Sequence, residues 1–144
     1  MDLAQLIARI EAQVPTLSGR TRETEDFQAL LRQASLTAAT GGAFVMPAGL
    51  RGGKAEISVG SYVQDVDEVI AVVILVPAPS KGLGRQGATI TTLIKAVIEA
   101  VAGWAPDEAT GVFQVLRGAM INLGTALLAY QLEFSISDQV RTTP

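Results

Sequence analysis

The chain has 144 residues, of which 49% are hydrophobic and 17% are charged, and its formal net charge is −3. Because globular proteins usually carry charge on about a quarter of their residues, this low share predicts surfaces that are covered by other subunits. The chain has no cysteine and no histidine, which excludes disulfides, thiolate nucleophiles, a Ser-His-Asp triad and Cys- or His-ligated metal centres. We therefore predict a single non-enzymatic domain over residues 1–144, and the mild acidity argues against a broad nucleic-acid-binding face.

No targeting or membrane segment is evident. The N-terminal residues lack the basic start and apolar stretch of a signal peptide. The longest uncharged apolar run, between Glu68 and Lys81, has twelve residues, whereas a helix that spans a bilayer needs about 20. We expect a soluble protein made in a cytoplasm, with no membrane partner.

The first half of the chain predicts two helices and one strand. Apolar residues at helical spacing predict a helix over residues 2–14. After a polar loop, shorter helical spacing indicates a second helix over residues 27–34. Residues 43–47 follow two glycines and predict a short strand, and the glycine-rich residues 48–61 predict an exposed, mobile arm or hairpin tip.

The second half predicts three strands and a helix. Residues 62–76 are apolar on both faces, which is typical of a strand that is central or covered by a neighbour. The cleanest helical spacing covers residues 89–102. Residues 112–121 form a plausible strand, and strict alternation over residues 127–137 predicts a half-buried antiparallel strand.

These elements follow the order α-(α)-β-β-α-β-β. We therefore predict an α+β fold in which two long helices pack on one face of a four-stranded, mainly antiparallel sheet.

Two motifs offer ligand chemistry, and each has a simpler interpretation. Residues Gly82–Gly87 match G-x-G-x-x-G, which would cradle a phosphate at a helix N-terminus. The glycines lie five residues after the strand and no acidic ribose ligand follows, so a plain connection is favoured.

Asp65 and Asp67, with Glu68, could hold a hard cation. Alternation places Glu68 on the other face, which favours a solvated strand end or an ionic contact with a neighbouring subunit. No cofactor and no metal are expected.

The predicted interaction residues lie in two glycine-rich loops and at the start of the long strand. If the two loops meet in space, their four cations could dock on an acidic partner or contact phosphate; an equal alternative is that these charges only increase solubility. The four cations are Arg51, Lys54, Lys81 and Arg85. Trp104, after the 89–102 helix, is predicted to close the helix end over the core. The complete set of candidate interface residues is Arg51, Lys54, Glu56, Asp65, Asp67, Lys81 and Arg85.

The pattern of the whole chain resembles the tail terminator proteins of long-tailed bacteriophages, including those of Mu-like prophages. The resemblance covers nearly the entire chain and rests on these stretches together: 2–10, Ala43-Phe44-Val45-Met46-Pro47, Asp67-Glu68-Val69-Ile70, the 89–102 helix with Gly103-Trp104-Ala105-Pro106, and Tyr130-Gln131-Leu132-Glu133-Phe134. Members of that family are small α/β or α+β subunits with no catalysis, no cofactor and no invariant catalytic residues to transfer.

The resemblance implies a ring, typically a hexamer, that caps the tail tube, stops its polymerisation and presents a surface to the head. The implied partners are further copies of the chain, the tail tube protein and a head–tail connector or adaptor, while DNA passes through the lumen without specific binding. The implied location is the tail or neck of a virion assembled in the host cytoplasm. Two alternatives stay open: another neck, tail-completion or head–tail adaptor protein, and a small nucleotide-binding domain that uses Gly82–Gly87.

Overall fold

The computed structural model describes residues 3–26, 28–30, 32, 41–77, 84–107, 111–122 and 127–143. Within these residues the bounded elements are two long helices, one short 3-10 helix and five strands, and residues 28–30 and 32 are also helical. In chain order they are α1 (Leu3–Gln13), the 3-10 helix (Pro15–Leu17), β1 (Thr21–Glu23), β2 (Gly42–Ser58), β3 (Ser61–Pro77), α2 (Gly84–Val101), β4 (Gln114–Ile121) and β5 (Leu127–Thr142).

The five strands form one mixed sheet in the order β1-β2-β3-β5-β4. β1 runs parallel to β2, and the other three pairs are antiparallel. The predicted four-stranded, mainly antiparallel sheet is therefore wrong. The additional strand β1 has only three residues within a polar stretch, so no alternation marks it. It forms because the edge of β2 supplies partners: Ala43 N–H donates to the Arg20 carbonyl and Thr24 N–H to the Val45 carbonyl, each at 2.9 Å.

β2 and β5 are longer than the sequence predicts. β2 does not end near Pro47 but continues to Ser58, paired with β3 and interrupted by irregularities after Pro47 and after Gly52. Glycine weakens a strand and favours such irregularities. The side-chain pattern of a strand therefore ends near Pro47, although the backbone of β2 remains paired with β3. Val59 and Gly60 close the hairpin as a two-residue turn, in which Gly60 has the positive φ of +77° that a tight turn favours.

The two long helices pack on the same face of the sheet, which we call the helix face. Leu6 and Ile10 of α1 and Val97 of α2 are fully buried there against the even-numbered residues of β3 and β5. α2 starts at Gly84 and not at residue 89, so the last part of the connection that the sequence predicts before this helix is helical. The sheet residues of this core are Ala43, Val45, Ile70, Val72, Ile74, Val76, Leu132, Phe134 and Ile136.

The opposite face of the sheet is also covered. Leu30 is fully buried in a second cluster with Phe44, Met46, Ala71, Val73, Leu75 and Ala129. Asp26 begins the helical segment that carries Leu30, because its Oδ1 accepts a hydrogen bond from the Ala29 N–H at 2.8 Å. Since β3 lies at the centre of the sheet between two apolar layers, its side chains are apolar on both faces, as the sequence predicts for a central strand.

An aromatic group closes the end of α2. Trp104 stacks on Phe113 with ring centroids 6.0 Å apart, and Phe113 meets Phe134 edge-on at 6.4 Å. The Arg9 guanidinium lies 5.6 Å from the centre of the Trp104 ring, and Arg9 Nε donates to the Ala100 carbonyl at 2.9 Å. Trp104 thus covers the core at the helix end, which confirms that prediction.

Candidate interaction surface

Three strands continue past the helix-covered part of the sheet and form a projection that we call the arm, residues 49–58, 61–68 and 136–142. Its β2 residues are all exposed to solvent. β1 pairs with β2 only as far as Val45, and β4 pairs with β5 only over residues 129–135. Among the described residues, both edges of the arm therefore lack a strand partner, and such edges can accept one from another chain.

The two faces of the arm differ in chemistry. Residues 63, 65 and 67 of β3 lie on the face opposite the helices, since alternation continues from Ala71 and Val73. Asp65 Oδ1 accepts a hydrogen bond from Gln139 Nε2 at 3.0 Å, and Asp67 Oδ1 accepts one from Ser137 Oγ at 2.8 Å. This face is a polar stripe, because cross-strand partners present amides and hydroxyls to both carboxylates.

The helix face of the arm carries exposed apolar side chains. Leu50 is paired with Glu68, Ile57 with Tyr62, and Val140 with Gln64, so all three share the face of the even-numbered β3 residues. Leu50 is 68% exposed and Ile57 79% exposed. Val59, at the tip, is also fully exposed. Several large apolar side chains on one projecting surface are typical of a contact with another protein.

A groove lies where the arm joins the body. It has a volume of about 500 Å³ and opens on the helix face beside the end of β1. Its floor is apolar, with Leu3 of α1, Leu50 of β2 and Ile70 of β3, and its described lining also includes Glu23 and Glu68. The groove can therefore hold apolar side chains with a cation at its margin.

A second exposed apolar strip runs along β4, at the far edge of the sheet. Val115, Leu116 and Met120 are 43–54% exposed. Val115 pairs with Phe134 and Met120 with Tyr130, which places both on the helix face. Arg117 of the same strand pairs with Glu133 and so lies on the opposite face; its side chain is 67% exposed and its Nε lies 3.8 Å from Glu133 Oε2. No described strand pairs with the outer edge of β4.

The structure brings five of the seven predicted interface residues together in the arm. They are Arg51, Lys54, Glu56, Asp65 and Asp67; Arg51 pairs with Asp67, and Lys54, Glu56 and Asp65 line one small depression with Val63 and Gln139. Lys81 lies outside the described residues, and of Arg85 only the backbone is described, in the first turn of α2. Whether these residues make contacts between subunits stays a prediction.

Nothing in the described structure supports a ligand site at either of the two motifs. Gly82 and Leu83 lie outside the described residues, and Gly84 to Gly87 form the first turn of α2. Asp65 and Asp67 share one face while Glu68 pairs with Ile136 on the other. In the part of the chain that the structure describes, no group of three Asp or Glu side chains is placed to hold a metal ion. Nor does any described helix have the length and apolar character to cross a membrane.

Sequence reasoning missed the apolar strip of β4 and the groove. The strip reads as an ordinary strand, because the sequence does not show that β4 is an edge and that neither helix covers it. The signal that was available is the presence of the apolar residues Val115, Leu116 and Met120 around a lone cation, without the strict alternation of β5. The groove combines residues from four segments, α1, β1, β2 and β3, and has no signal in the sequence.

An open-edged sheet with apolar side chains on its projecting arm and on its far edge is typical of structural proteins that assemble with other chains. The whole sequence, residues 1–144, matches the family model of the phage tail terminator protein, and the chain belongs to that family. It is thus a structural protein of phage tails, and the family is not one of enzymes.

A solved structure supports this fold. A chain in the virion of a native gene transfer agent particle matches with a TM-score of 0.57 and 13% identity, over 95% of this chain and 96% of that chain. The type 4 fimbrial biogenesis protein PilO from Pseudomonas aeruginosa matches with a TM-score of 0.22 and 8% identity, over 95% and 85% of the two chains, too weakly to support an argument. A search of curated proteins finds no match.

Proposed function

We propose that this protein forms a ring, a hexamer by family resemblance, that caps the phage tail tube, stops its polymerisation and provides the surface to which the head joins. The observation that supports the proposal most is the arm, whose exposed apolar side chains and open edges lie outside the core. A monomer gains nothing from this exposure, because burying apolar surface contributes about 25 cal/mol per Å².

The partners follow from this role. Copies of the chain contact one another around the ring, one side of the ring meets the tail tube protein, and the other meets a head–tail connector or adaptor. The arm residues Arg51, Lys54, Glu56, Asp65 and Asp67 are our candidates for contacts to the tube or to adjacent copies, together with Lys81 and Arg85. DNA passes through the lumen without specific binding, and assembly takes place in the host cytoplasm.

Removal of the gene from the phage genome that encodes it tests the proposal. We expect tails of uncontrolled length, or tails that fail to join heads, in electron micrographs of the lysate, and we expect the wild-type gene supplied on a plasmid to restore normal particles. Tails of normal length that carry heads would contradict the proposal. Tails of normal length without heads would instead indicate an adaptor, which is the alternative neck component.

A titration of the purified protein tests the nucleotide-binding alternative. We expect isothermal titration calorimetry with ATP, GTP and NAD to give only the heat of dilution, because the glycine motif lacks the strand-to-helix turn and the acidic ribose ligand of a dinucleotide site. Saturable heat that disappears in a Gly84→Val, Gly87→Val variant would favour a nucleotide site at this position.

A further inference from the structure

We propose that the arms of neighbouring copies join edge to edge: the outer edge of β2 in one copy pairs in parallel with the outer edge of β5 in the next, with Glu56 beside Arg141. The inference rests on the proposed ring and specifies how one copy meets the next in it. The contact uses residues 55–58 of β2 and 139–142 of β5. Within the described residues, neither stretch has a strand on its outer side.

The strand directions permit a parallel pair. β2 is antiparallel to β3 and β3 is antiparallel to β5, so β2 and β5 run in the same direction on opposite edges of the arm. A neighbour that is rotated about an axis along the arm keeps this direction and keeps each face of the sheet on its own side. Its β5 therefore meets the β2 of the first copy in parallel, and the helix face of one arm continues into the helix face of the other.

The peptide groups at the two edges point in the directions that this pair requires. The Val45 carbonyl accepts a hydrogen bond from the Thr24 N–H, so Val45 points away from β3 and its partner Val72 points toward β5. This direction alternates along a strand, and β3 pairs with β5 without a register shift. All even-numbered residues of β3 therefore point toward β5. In the arm, residues 55 and 57 of β2 and residues 139 and 141 of β5 then point outward.

These outward groups interlock when the two arms lie level. In a parallel pair the bonds are slanted, so a residue bonds the two residues that flank its neighbour across the pair. Ala55 and Val140 both pair with Gln64 within one arm, which places them at the same level. Across the contact, the peptide group of Ala55 thus meets those of Gln139 and Arg141, which flank Val140.

Charge favours this level register over the alternatives. Glu56 and Arg141 both pair with Val63, so they lie level on the face opposite the helices, and the carboxylate of one copy lies beside the guanidinium of the next. A shift by two residues keeps the bonding pattern and the faces, but it places Arg141 beside Lys54 or Ser58. Of these three registers, only the level one places opposite charges side by side.

The helix face of the contact is apolar. Ile57 is 79% exposed and Val140 is 40% exposed in the single copy. In the level register, Val140 of one copy lies directly beside Ala55 of the next and diagonally beside Ile57. Association therefore removes exposed apolar surface from water, which favours the contact.

The arms converge, because the body of the sheet is wider than the arm. β1 adds a strand beside β2 over residues 43–45, and β4 adds one beside β5 over residues 129–135, so neighbouring bodies stand further apart than neighbouring arms. The irregularities of β2 after Pro47 and after Gly52 lie between the body and the contact, and such irregularities bend a strand. They are therefore placed where β2 has to turn toward the next copy.

The contact is head-to-tail, because the two edges do not overlap on one molecule. A head-to-tail contact generates a closed ring when its rotation closes, whereas a two-fold contact stops at a dimer. A single pair of complementary edges thus accounts for a ring of several copies.

Charge reversal tests the ionic pair. Glu56→Arg places two cations at every contact of the ring, and Arg141→Glu places two carboxylates there. We expect each single variant to cap tail tubes from the strain that lacks the gene about tenfold less well than the wild type, because like charges side by side oppose association. The double variant restores opposite charges and is expected to cap like the wild type. Electron microscopy measures capping.

The urea midpoints of these variants are expected to equal that of the wild type, because both side chains are exposed. Single variants that cap like the wild type would overturn the inference, and so would a double variant that caps no better than the single ones. If the gene deletion still gives aberrant tails in such a case, only this contact is wrong. Normal tails without the gene would contradict the proposed function itself.

Disulfide formation provides an independent measurement, because the chain has no native cysteine. In an Ala55→Cys, Val140→Cys variant the two thiols lie two strands apart within one copy, too far for a disulfide, but side by side across the contact. We expect oxidation on tail tubes to give a ladder in non-reducing gels that ends at the size of the ring. In the matched control, Ala55→Cys with Gln139→Cys, the second thiol lies on the other face and no ladder is expected. An absent ladder, or an equal one from the control, would overturn the contact.

Discussion

Trp104 shows how a single residue connects both helices to the sheet. Its ring stacks on Phe113, lies under the Arg9 guanidinium of α1 and follows directly on α2. Phe113 in turn contacts Phe134 of β5. The Gly-Trp-Ala-Pro sequence indicated a ring that closes a helix end, but it did not indicate the partners, because Phe113 and Arg9 approach Trp104 only after the sheet has formed.

Removing this ring should destabilise the fold. We expect Trp104→Ala to lower the free energy of unfolding by about 2–4 kcal/mol, since it deletes a large, partly buried aromatic side chain and leaves Phe113 without its stacking partner. Urea denaturation followed by far-UV circular dichroism measures the change. Trp104→Phe, the matched control, keeps an aromatic ring and should lose less than half as much. Equal losses would show that the stacked ring is not what stabilises this end.

Gly41 is a second position where one residue decides local structure. It has φ of +72°, and a Cβ at this position would lie 2.6 Å from the Leu75 carbonyl oxygen. We expect Gly41→Ala to cost about 2–3 kcal/mol of unfolding free energy, from the left-handed conformation and the clash together. Gly60→Ala is the control: φ is similar, +77°, but nothing lies within 4 Å of the added Cβ, so its loss in the same urea experiment should be clearly smaller.

At the scale of elements, the arm is a part of the sheet that the core does not require. Its β2 residues are exposed, and the one arm residue that belongs to the helix-face core is Ile136, at the base of the arm. The glycines of residues 48–61 predicted an exposed, mobile arm or hairpin tip. The exposure and the hairpin tip are confirmed, but residues 48–58 form a long paired strand that the glycines did not predict. The arm part of β2 is held in the sheet by backbone hydrogen bonds to β3. Such bonds do not require a particular side-chain pattern, so the sequence does not show them.

Shortening the arm should separate stability from function. Replacing residues 53–65 with Asn-Gly joins Gly52 to Val66, which face each other in the hairpin, through a turn that fits two antiparallel strands. We expect a cooperative urea transition to remain, because both core clusters are intact, and tube capping to be lost. Electron microscopy of tubes mixed with the variant measures capping. Capping by the shortened protein would contradict a role for the arm.

At the scale of the whole molecule, low charge is consistent with assembly through apolar surface. With eleven basic and fourteen acidic residues, the chain has no excess of positive charge with which to hold DNA phosphates. A ring that DNA passes through needs this property, because tight phosphate contacts would hold the DNA in the lumen.

This leads to a prediction on DNA binding. We expect no retardation of duplex DNA by micromolar protein in 50 mM salt, the condition that favours electrostatic binding. A gel mobility assay measures this, with a Glu56→Lys, Asp65→Lys, Asp67→Lys variant as the control. That variant raises the net charge by six, and it should retard DNA if positive charge on this surface is sufficient for binding. Retardation by the wild-type protein would contradict passive passage through a lumen.

The sequence by itself determined the two long helices, the central strand and the aromatic closure at Trp104, because these depend on apolar spacing along continuous segments. The family followed from the resemblance of the whole chain. Only the tertiary structure decided the parallel strand β1, the length of the arm and the edge position of β4. These depend on backbone pairing between distant segments, for which side-chain patterns carry little information. The groove and the apolar strip of β4 were decided in the same way, since a surface exists only once the order of the strands is set.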